Sequence, residues 1–502
     1  MKDGELIAAV DLGSNSFRLE ISNLHGDHFQ RVEYLKETVR QGGGLDADGY
    51  LSQESMERGW QCLARFGERL QNFHPSRVRA LATQTLREAR NRKQFLEQAQ
   101  QLLGHPIEVI SGQEEARLIY QGVTYYLPLN PDEYRMVIDI GGRSTEIIVG
   151  QGQAPLEAAS FALGSVSWSQ RFFGEGRLTA KGFTKAEVAA KALLQERLGL
   201  FAQFPRENVF GASGTMNAVA QILCQQGLAE PNTITRKALA QLKAQLISAQ
   251  HIDNLSMEGL RDDRRPVIGG GVSILTALME ILDVATLHIS DGALRQGALV
   301  DLIQREKPHN EQSDIRQKTV QSLLQRFGYD RLQGERIAST ATHIWQEWNL
   351  PQASHEDLQQ LQWAALLHEI GISIAYERYH HHGAYILEYG DCPGFLPSER
   401  DNIAQLILGH RGKLKKLQDR LQNHPGLFEL QLLCLRLAIL LCTARNDPEL
   451  QALQWSTPKN RSARATVSEA WSQAYPQSYY LLQEEACVWE KVGFDLKVVV
   501  QG

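Results

Sequence analysis

Cysteine is scarce in this 502-residue chain: Cys62, Cys224, Cys392, Cys434, Cys442 and Cys487, with no Cys-x-x-Cys pair among them. Such scatter excludes a disulfide frame and fits the reduced thiols of a cytoplasmic protein. Positive charge is in no excess: 52 Lys and Arg stand against 58 Asp and Glu, a net charge of −6. No global basic field therefore directs the chain to nucleic acid, and an anionic substrate would have to be held locally, by loops, a metal or a basic patch. Long apolar runs are missing too. The opening Met1 to Glu5 leads into five apolar residues, too few for the core of a signal peptide, and Leu430 to Cys442 is broken by Gln431 and Arg436. No integral membrane segment is expected; peripheral membrane association is left open.

What is present is a turn stated twice. Leu6 to Val10 reads as a buried strand that leads into Asp11; Gly13-Ser14-Asn15-Ser16 turns, and Phe17, Leu19 and Ile21 alternate along a second strand. Met136 to Val149 repeats the pattern, with Asp139 on Asp11, Gly141 on Gly13 and Ser144 on Ser16. A hairpin tip rich in Gly and hydroxyls offers N–H and O–H groups to an anion, and its Asp can recruit a cation. The repeat predicts two related lobes facing one cleft, suited to a phosphorylated substrate and a divalent metal.

At this length several domains are expected. After the first hairpin come a strand over His28 to Val39, a helix capped by Ser52, a strand Val78 to Ala82, a helix from about Leu86 to Leu103, a strand Ile107 to Ile110 and a helix from Ser111. That order predicts a ribonuclease-H-like mixed sheet. Strand–turn–helix junctions recur at Val209 to Thr215, Pro266 to Gly271 and His288 to Gly292, the last opening a helix Ala293 to Ile303. From about Pro308 strands vanish and helices are expected over Thr319–Phe327, Arg336–Trp348 and Leu358–Ala375, with eight of fifteen histidines between His343 and His424. Phe494 to Val500 reads as a final strand. The expected parts are 1–125, 126–307, 308–447 and 448–502.

Ser111 and Glu114 have capping-box spacing, which gives Glu114 a structural task and leaves Glu115 at the edge of the apolar stripe. Glu115 could orient or deprotonate a water, or merely complement the helix dipole. Arg87, at a helix start, answers either to a phosphate or to a cleft carboxylate. Glu146 either completes a magnesium site with Asp139 through water or is a plain strand residue. Arg411, Lys413, Lys415 and Lys416 form a dense basic run that holds a distal polyanion or is a solvated helix face.

Five motifs occur in order: Asp11 to Ser16, Ser111 to Arg117, Asp139 to Gly142, Gly211 to Thr215 and Ser290 to Arg295. Together they closely resemble the exopolyphosphatase/guanosine pentaphosphate phosphohydrolase family, within the actin–Hsp70–sugar kinase superfamily. The resemblance implies two actin-like α/β domains with the active site between them, an all-helical HD-like domain, a small C-terminal domain and a homodimer. It makes Glu115 the catalytic glutamate and puts Asp139 and Glu146 near the metal, to which the turn itself adds Asp11, with Mg2+ as the cofactor and K+ as a second candidate ion. It places phosphate on Ser14, Asn15, Arg87, Gly141, Gly142, Ser144, Gly214 and Thr215, to which the loops at 13–16 and 141–145 add Ser16 and Thr145. Arg143 stands where the family usually has a third glycine, so it either tightens phosphate binding or narrows the loop. His368-Glu369 stands where a working HD site has His-Asp, with His343, His382 and His410 as companions, which implies a degenerate site. The expected activity is magnesium-dependent release of orthophosphate from the end of inorganic polyphosphate. Hydrolysis of guanosine pentaphosphate (pppGpp) is the nearest alternative. A kinase or ATPase, with Gly269 to Gly271 near an adenosine, is more distant, and a sensor without turnover has no use for Glu115.

Overall fold

The computed structural model describes residues 4–26, 28–128, 130–306, 314–327, 330–423 and 426–501. The chain divides into two compact units, 1–308 and 309–502. The boundary expected at 307/308, and His424, lie outside the described residues.

In the first unit the order is β1 (Leu6–Leu12), β2 (Phe17–His25), β3 (His28–Glu37), α1 (Gln53–Leu70), β4 (Val78–Ala82), α2 (Gln84–Glu88), α3 (Arg92–Leu103), β5 (Ile107–Val109) and α4 (Gly112–Tyr125). It continues with β6 (Tyr134–Ile140), β7 (Thr145–Gln151), β8 (Ala154–Phe161), α5 (Ser165–Phe172), α6 (Ala180–Gln195), β9 (Val209–Ala212), α7 (Ser213–Gln225), β10 (Thr233–Thr235), α8 (Arg236–Ala249), α9 (Ile268–Ile281), β11 (Thr286–Ile289) and α10 (Leu294–Glu306). The sheets run β3-β2-β1-β4-β5 and β10-β11-β9-β6-β7-β8. Leaving out β10, the second order is the first one repeated. In both, the first strand is antiparallel to its hairpin partner and parallel to the strand that returns after a helix. The duplicated turn is therefore a duplicated ribonuclease-H-like lobe.

The alternation of β1 shows how the lobes are joined. Ala8, Val10 and Leu12 face α1 and α3, packing with Phe66, Leu70, Phe95 and Leu103. Ile7 and Ala9 face the other way, into a core built with α4, α10 and Val137 of β6. The last helix of the first lobe packs on β7 and β8 of the second, and α10 packs on β1 of the first. Gly122, Gly292 and Gly297 make this crossing close: a Cβ on Gly297 would strike the Leu118 carbonyl and one on Gly292 the Gly122 carbonyl.

Two expectations fail here for tertiary reasons. The helix expected from Leu86 to Leu103 is broken at Ala89 to Asn91, because Asn91 pairs with both backbone groups of Leu51 (2.9 and 3.0 Å) and Arg90 N–H donates to Gly49 O (2.8 Å). Gly269 to Gly271 do not form a strand-to-helix turn. They lie buried inside α9, where Gly270 has no room for a Cβ against Ser165 O and Ser169. These glycines serve helix packing, which removes the observation that favoured a kinase or ATPase.

The second unit is helical, and its core holds Trp348, Trp363 and Trp489. The helix expected over Leu358–Ala375 ends at Leu367, and a short 3-10 turn covers Ile370–Ser373. Gly371 sits against Tyr379 O and Gly383 N, an approach that forbids a continuing helix with a side chain there. The last strand, Asp495–Gln501, forms where expected, pairing parallel to Ser462–Ser468. This sheet contributes Trp455, Val467 and Leu496 to the same core as the helices. Among the described residues no helix is long and apolar enough to cross a membrane.

Candidate active site

Both repeated turns open onto one cavity of about 90 Å³, lined by Asp11, Gly13 to Ser16, Glu115, Asp139, Gly141, Gly142, Ser144 and Ser213 to Thr215, among others. The loops touch: a Cβ on Gly142 would crowd Ser14 Cβ and lie 3.5 Å from Asn15 N. Asn15 Nδ2 and Ser16 Oγ are buried there without a hydrogen-bond partner. Buried donors left open in a cleft are what an anionic ligand would satisfy. At the start of α7, Ser213 holds φ of 94°, a left-handed conformation that is strained for a non-glycine residue and is typically kept at ligand sites.

The two copies differ at one register position. Asp11 pairs across its hairpin with Arg18, Asp139 with Glu146. Arg18 Nη1 accordingly sits 2.9 Å from Asp11 Oδ2, whereas Asp139 faces more negative charge. Burial, with the nearby Glu115, pushes Asp139 up to about 7 against the pull of Arg18. Burial also raises Glu146 well above its ordinary range, with Glu115 and Asp139 adding to it. Glu115 is raised by burial and by Asp11, with Arg87 opposing. Three buried carboxylates, Glu115 of the first lobe with Asp139 and Glu146 of the second, thus repel one another, and a cation among them would relieve them. Among the described residues no three His, Cys, Asp or Glu side chains converge closely enough to hold a metal by themselves. The donor set suits an ion that keeps several waters, as magnesium does.

The placement of several expected residues differs. Asp11, expected as a metal ligand, lines the cavity with its Oδ2 paired to Arg18 Nη1. Glu146 is 1% exposed and lies behind the cavity, accepting from Ser160 Oγ at 2.8 Å. Thr145 Oγ1 donates to Leu163 O, so its hydroxyl is not open to phosphate. Arg87 takes the carboxylate alternative, with Nη1 2.6 Å from Glu115 Oε2. Arg143 turns away from the cavity to Glu88 Oε2 (2.8 Å) and Gly42 O (3.0 Å). Ser111 caps α4 through Glu114 N, but the Glu114 carboxylate is engaged with Arg117 and Arg79, not with the cap. Glu114 thus has a structural task, with Arg117 and Arg79 as partners in place of the cap, and Glu115 lines the cavity on Arg87.

In the helical unit, His368 and His410 stack edge-to-face at 5.4 Å, each with Nδ1 on a backbone carbonyl. Burial holds His368 down to about 4, hence neutral. His380, not His382, stands beside His410, and His343 faces Glu347 instead. Of the basic run, Arg411 lies over Tyr379 and Tyr376, and Lys416 Nζ turns inward to Arg411 O (2.7 Å), leaving Lys413 and Lys415 exposed on a 3-10 turn rather than a helix face.

A second cavity of about 240 Å³ adjoins the first, sharing Arg18, Gly214, Arg264 and Arg295 with it. It adds Tyr34, Lys36, Asn217, Gln221, Arg261 and Asp291, among others, with Lys36 Nζ donating to Asp263 Oδ2 at 3.0 Å. Arg264 is 8% exposed, and its nearest acid oxygen, Asp263 Oδ2, is 3.8 Å away. Its guanidinium lies over Gly214, where a Cβ would collide with it. Sequence reasoning missed Arg18, Lys36, Arg264 and Arg295. The charge run Arg261 to Arg265 was the one signal for Arg264, and nothing local showed that it folds back onto the third turn.

A duplicated actin-like core with phosphate loops and a buried glutamate between its lobes defines a phosphohydrolase-type site. Residues 20–306 match the model of the Ppx/GppA phosphatase family, and 315–486 match domain III of that family. A guanosine-5'-triphosphate,3'-diphosphate pyrophosphatase of Photobacterium profundum is 35% identical over 98% of this chain and 97% of its own. Among solved structures, the Aquifex aeolicus PPX-GPPA enzyme shares 26% identity over 59% of this chain and 98% of its own, with a TM-score of 0.50. An exopolyphosphatase from Cytophaga hutchinsonii shares the fold at 22% identity, covering 60% and 99%, with a TM-score of 0.55. The chain belongs to the Ppx/GppA phosphatase family, hydrolases that act on phosphoanhydrides.

Proposed function

We propose that the protein hydrolyses the 5'-terminal phosphoanhydride of guanosine pentaphosphate, releasing orthophosphate and leaving the tetraphosphate. The observation that carries this reading is the second cavity. A uniform polyphosphate chain asks only for cations and N–H donors. Here Arg264, Lys36 and Arg295 stand beside the neutral groups of Tyr34, Asn217 and Gln221, a mixture suited to a nucleoside bearing a second phosphate group. The full-length similarity to the Photobacterium profundum pyrophosphatase supports the same preference. Inorganic polyphosphate, the reading first drawn from the sequence, becomes the competing substrate, since its terminal phosphates would meet the same loops.

In this mechanism the two turns hold the terminal phosphates through Asn15, Ser16, Ser144 and backbone N–H groups. Glu115 accepts a proton from the attacking water as its oxygen bonds to the terminal phosphorus and the bridging P–O bond breaks. Burial, by raising Glu115, makes it a better base than an ordinary carboxylate. Arg18 and Arg264 face the negative charge that develops on the leaving chain. Magnesium, held from Asp139 through its waters, would supply further charge neutralisation.

Comparison of kcat/KM on pppGpp and on long polyphosphate tests the substrate. The expected preference is for pppGpp, and Arg264→Ala raises KM for it at least about tenfold with a smaller loss of kcat, as for a lost charged hydrogen-bond partner. A higher kcat/KM on polyphosphate overturns the choice. The metal is tested without substrate: millimolar Mg2+ raises the unfolding midpoint of the wild type and raises that of Asp139→Asn far less. Equal shifts in both would place the ion elsewhere.

A further inference from the structure

Arg143 was expected at phosphate and is not there, which raises the question of what it does. Its guanidinium leaves the second phosphate loop, crosses to the first lobe and donates to Glu88 Oε2 through Nε at 2.9 Å, with Nη2 2.8 Å from the same oxygen. The other oxygen of that carboxylate, Oε1, accepts from Gln84 Nε2 at 2.6 Å. Gln84 Oε1 in turn accepts from Arg87 Nε (3.0 Å) and Nη2 (2.5 Å). Arg87 Nη1 then reaches Glu115 Oε2 at 2.6 Å. Gln84, Arg87 and Glu88 stand at i, i+3 and i+4 of α2, so one short helix presents all three on one face.

We propose that Arg143 is a positioning residue for Glu115, acting from the second phosphate loop through Glu88, Gln84 and Arg87. Each link is a side chain whose partners fix its orientation. The Gln84 amide is held at both ends, so it cannot rotate without losing Glu88 or Arg87. Arg87 is further anchored on Ile110 O at 2.9 Å, which leaves its remaining freedom in the plane that Gln84 controls. Because the first link spans the cleft, the chain is complete only when the loop carrying Gly141 and Gly142 is seated against the first lobe. The base is thereby oriented in step with the loop that holds the phosphate. The inference rests on Glu115 being the base, whichever phosphoanhydride is the substrate.

The test is steady-state phosphate release by the full chain, on pppGpp and on polyphosphate, for wild type, Arg143→Ala, Glu88→Ala and the double variant. Each single change is expected to lower kcat about tenfold with KM within about twofold, the pattern of a loss felt in the transition state only. The double variant is expected to be no slower than either single one, because both break one chain. Arg143→Lys, which keeps a charge near Glu88, restores part of kcat. Unfolding midpoints measured alongside separate this from loss of fold. Should Arg143→Ala fail to fold, Glu88→Gln alone decides: kcat lowered at constant KM supports the chain, and an unchanged kcat overturns it. A KM increase at constant kcat in Arg143→Ala also overturns it, since Arg143 would then be a substrate contact, as do multiplicative losses in the double variant. A wild type inactive on both substrates would instead refute the proposed function and not this relay.

Discussion

Glu115→Gln is expected to lower kcat by about 10²- to 10⁴-fold, the range general-base groups contribute, with KM and the unfolding midpoint nearly unchanged. The glutamine keeps an acceptor for Arg87 Nη1 and removes one of three mutually repelling buried carboxylates, so the fold has little to lose. Its neighbour behaves in the opposite way. Glu114 is held below its ordinary range: burial alone would raise it, and Arg117 and Arg79 more than reverse that. Glu114→Gln is therefore expected to lower the midpoint while leaving kcat, measured well below that midpoint, close to normal. Phosphate release and thermal unfolding on both variants check the contrast. A Glu115→Gln enzyme with native turnover would remove the base from this site.

That contrast was half legible in the sequence. The Ser111 cap, the apolar stripe of α4 and the repeat of Asp11 on Asp139 are local patterns, and each forms where local chemistry puts it. The topology followed because hairpin, helix and returning strand succeed one another in the same order in both halves. Pairings between distant residues were not legible. Glu114 with Arg79, Arg143 with Glu88 and Arg18 beside Arg264 are set by which strands lie side by side and how α4 and α10 cross. A sequence carries no period for such contacts. Arg18 is the instructive case, because it is the repeat-equivalent of Glu146. The duplicated clamp keeps its backbone and differs at one strand position, which carries an arginine in the first copy and a carboxyl group in the second. Reading both aspartates as metal ligands treated the copies as equivalent; under the proposed mechanism the difference at this one position is why the magnesium is looked for on Asp139's side.

Asp301→Asn is expected to destabilise the first unit by about 3–5 kcal/mol, lowering its unfolding midpoint by on the order of 10 °C. Asp301 lies on α10, 4% exposed, and receives Arg79 from β4, Arg117 from α4 (2.5 Å) and Arg305 (2.6 Å). Arg79 and Arg117 also share Glu114, so the network fastens together the two helices that join the lobes. Burial alone would raise Asp301; Arg305, Arg79 and Arg117 outweigh it and hold the carboxyl far below its ordinary range. A carboxylate depressed in the folded state stabilises above its unfolded pKa, near about 3.9, and that contribution fades as pH falls further toward the folded value. The gap between wild type and Asp301→Asn should therefore stay constant from about pH 8 to pH 5 and close below about pH 4. Thermal unfolding across that range measures it. A gap that persists unchanged at the acid end would mean that asparagine disturbs packing at the crossing of α4 and α10, and that the charge itself contributes little.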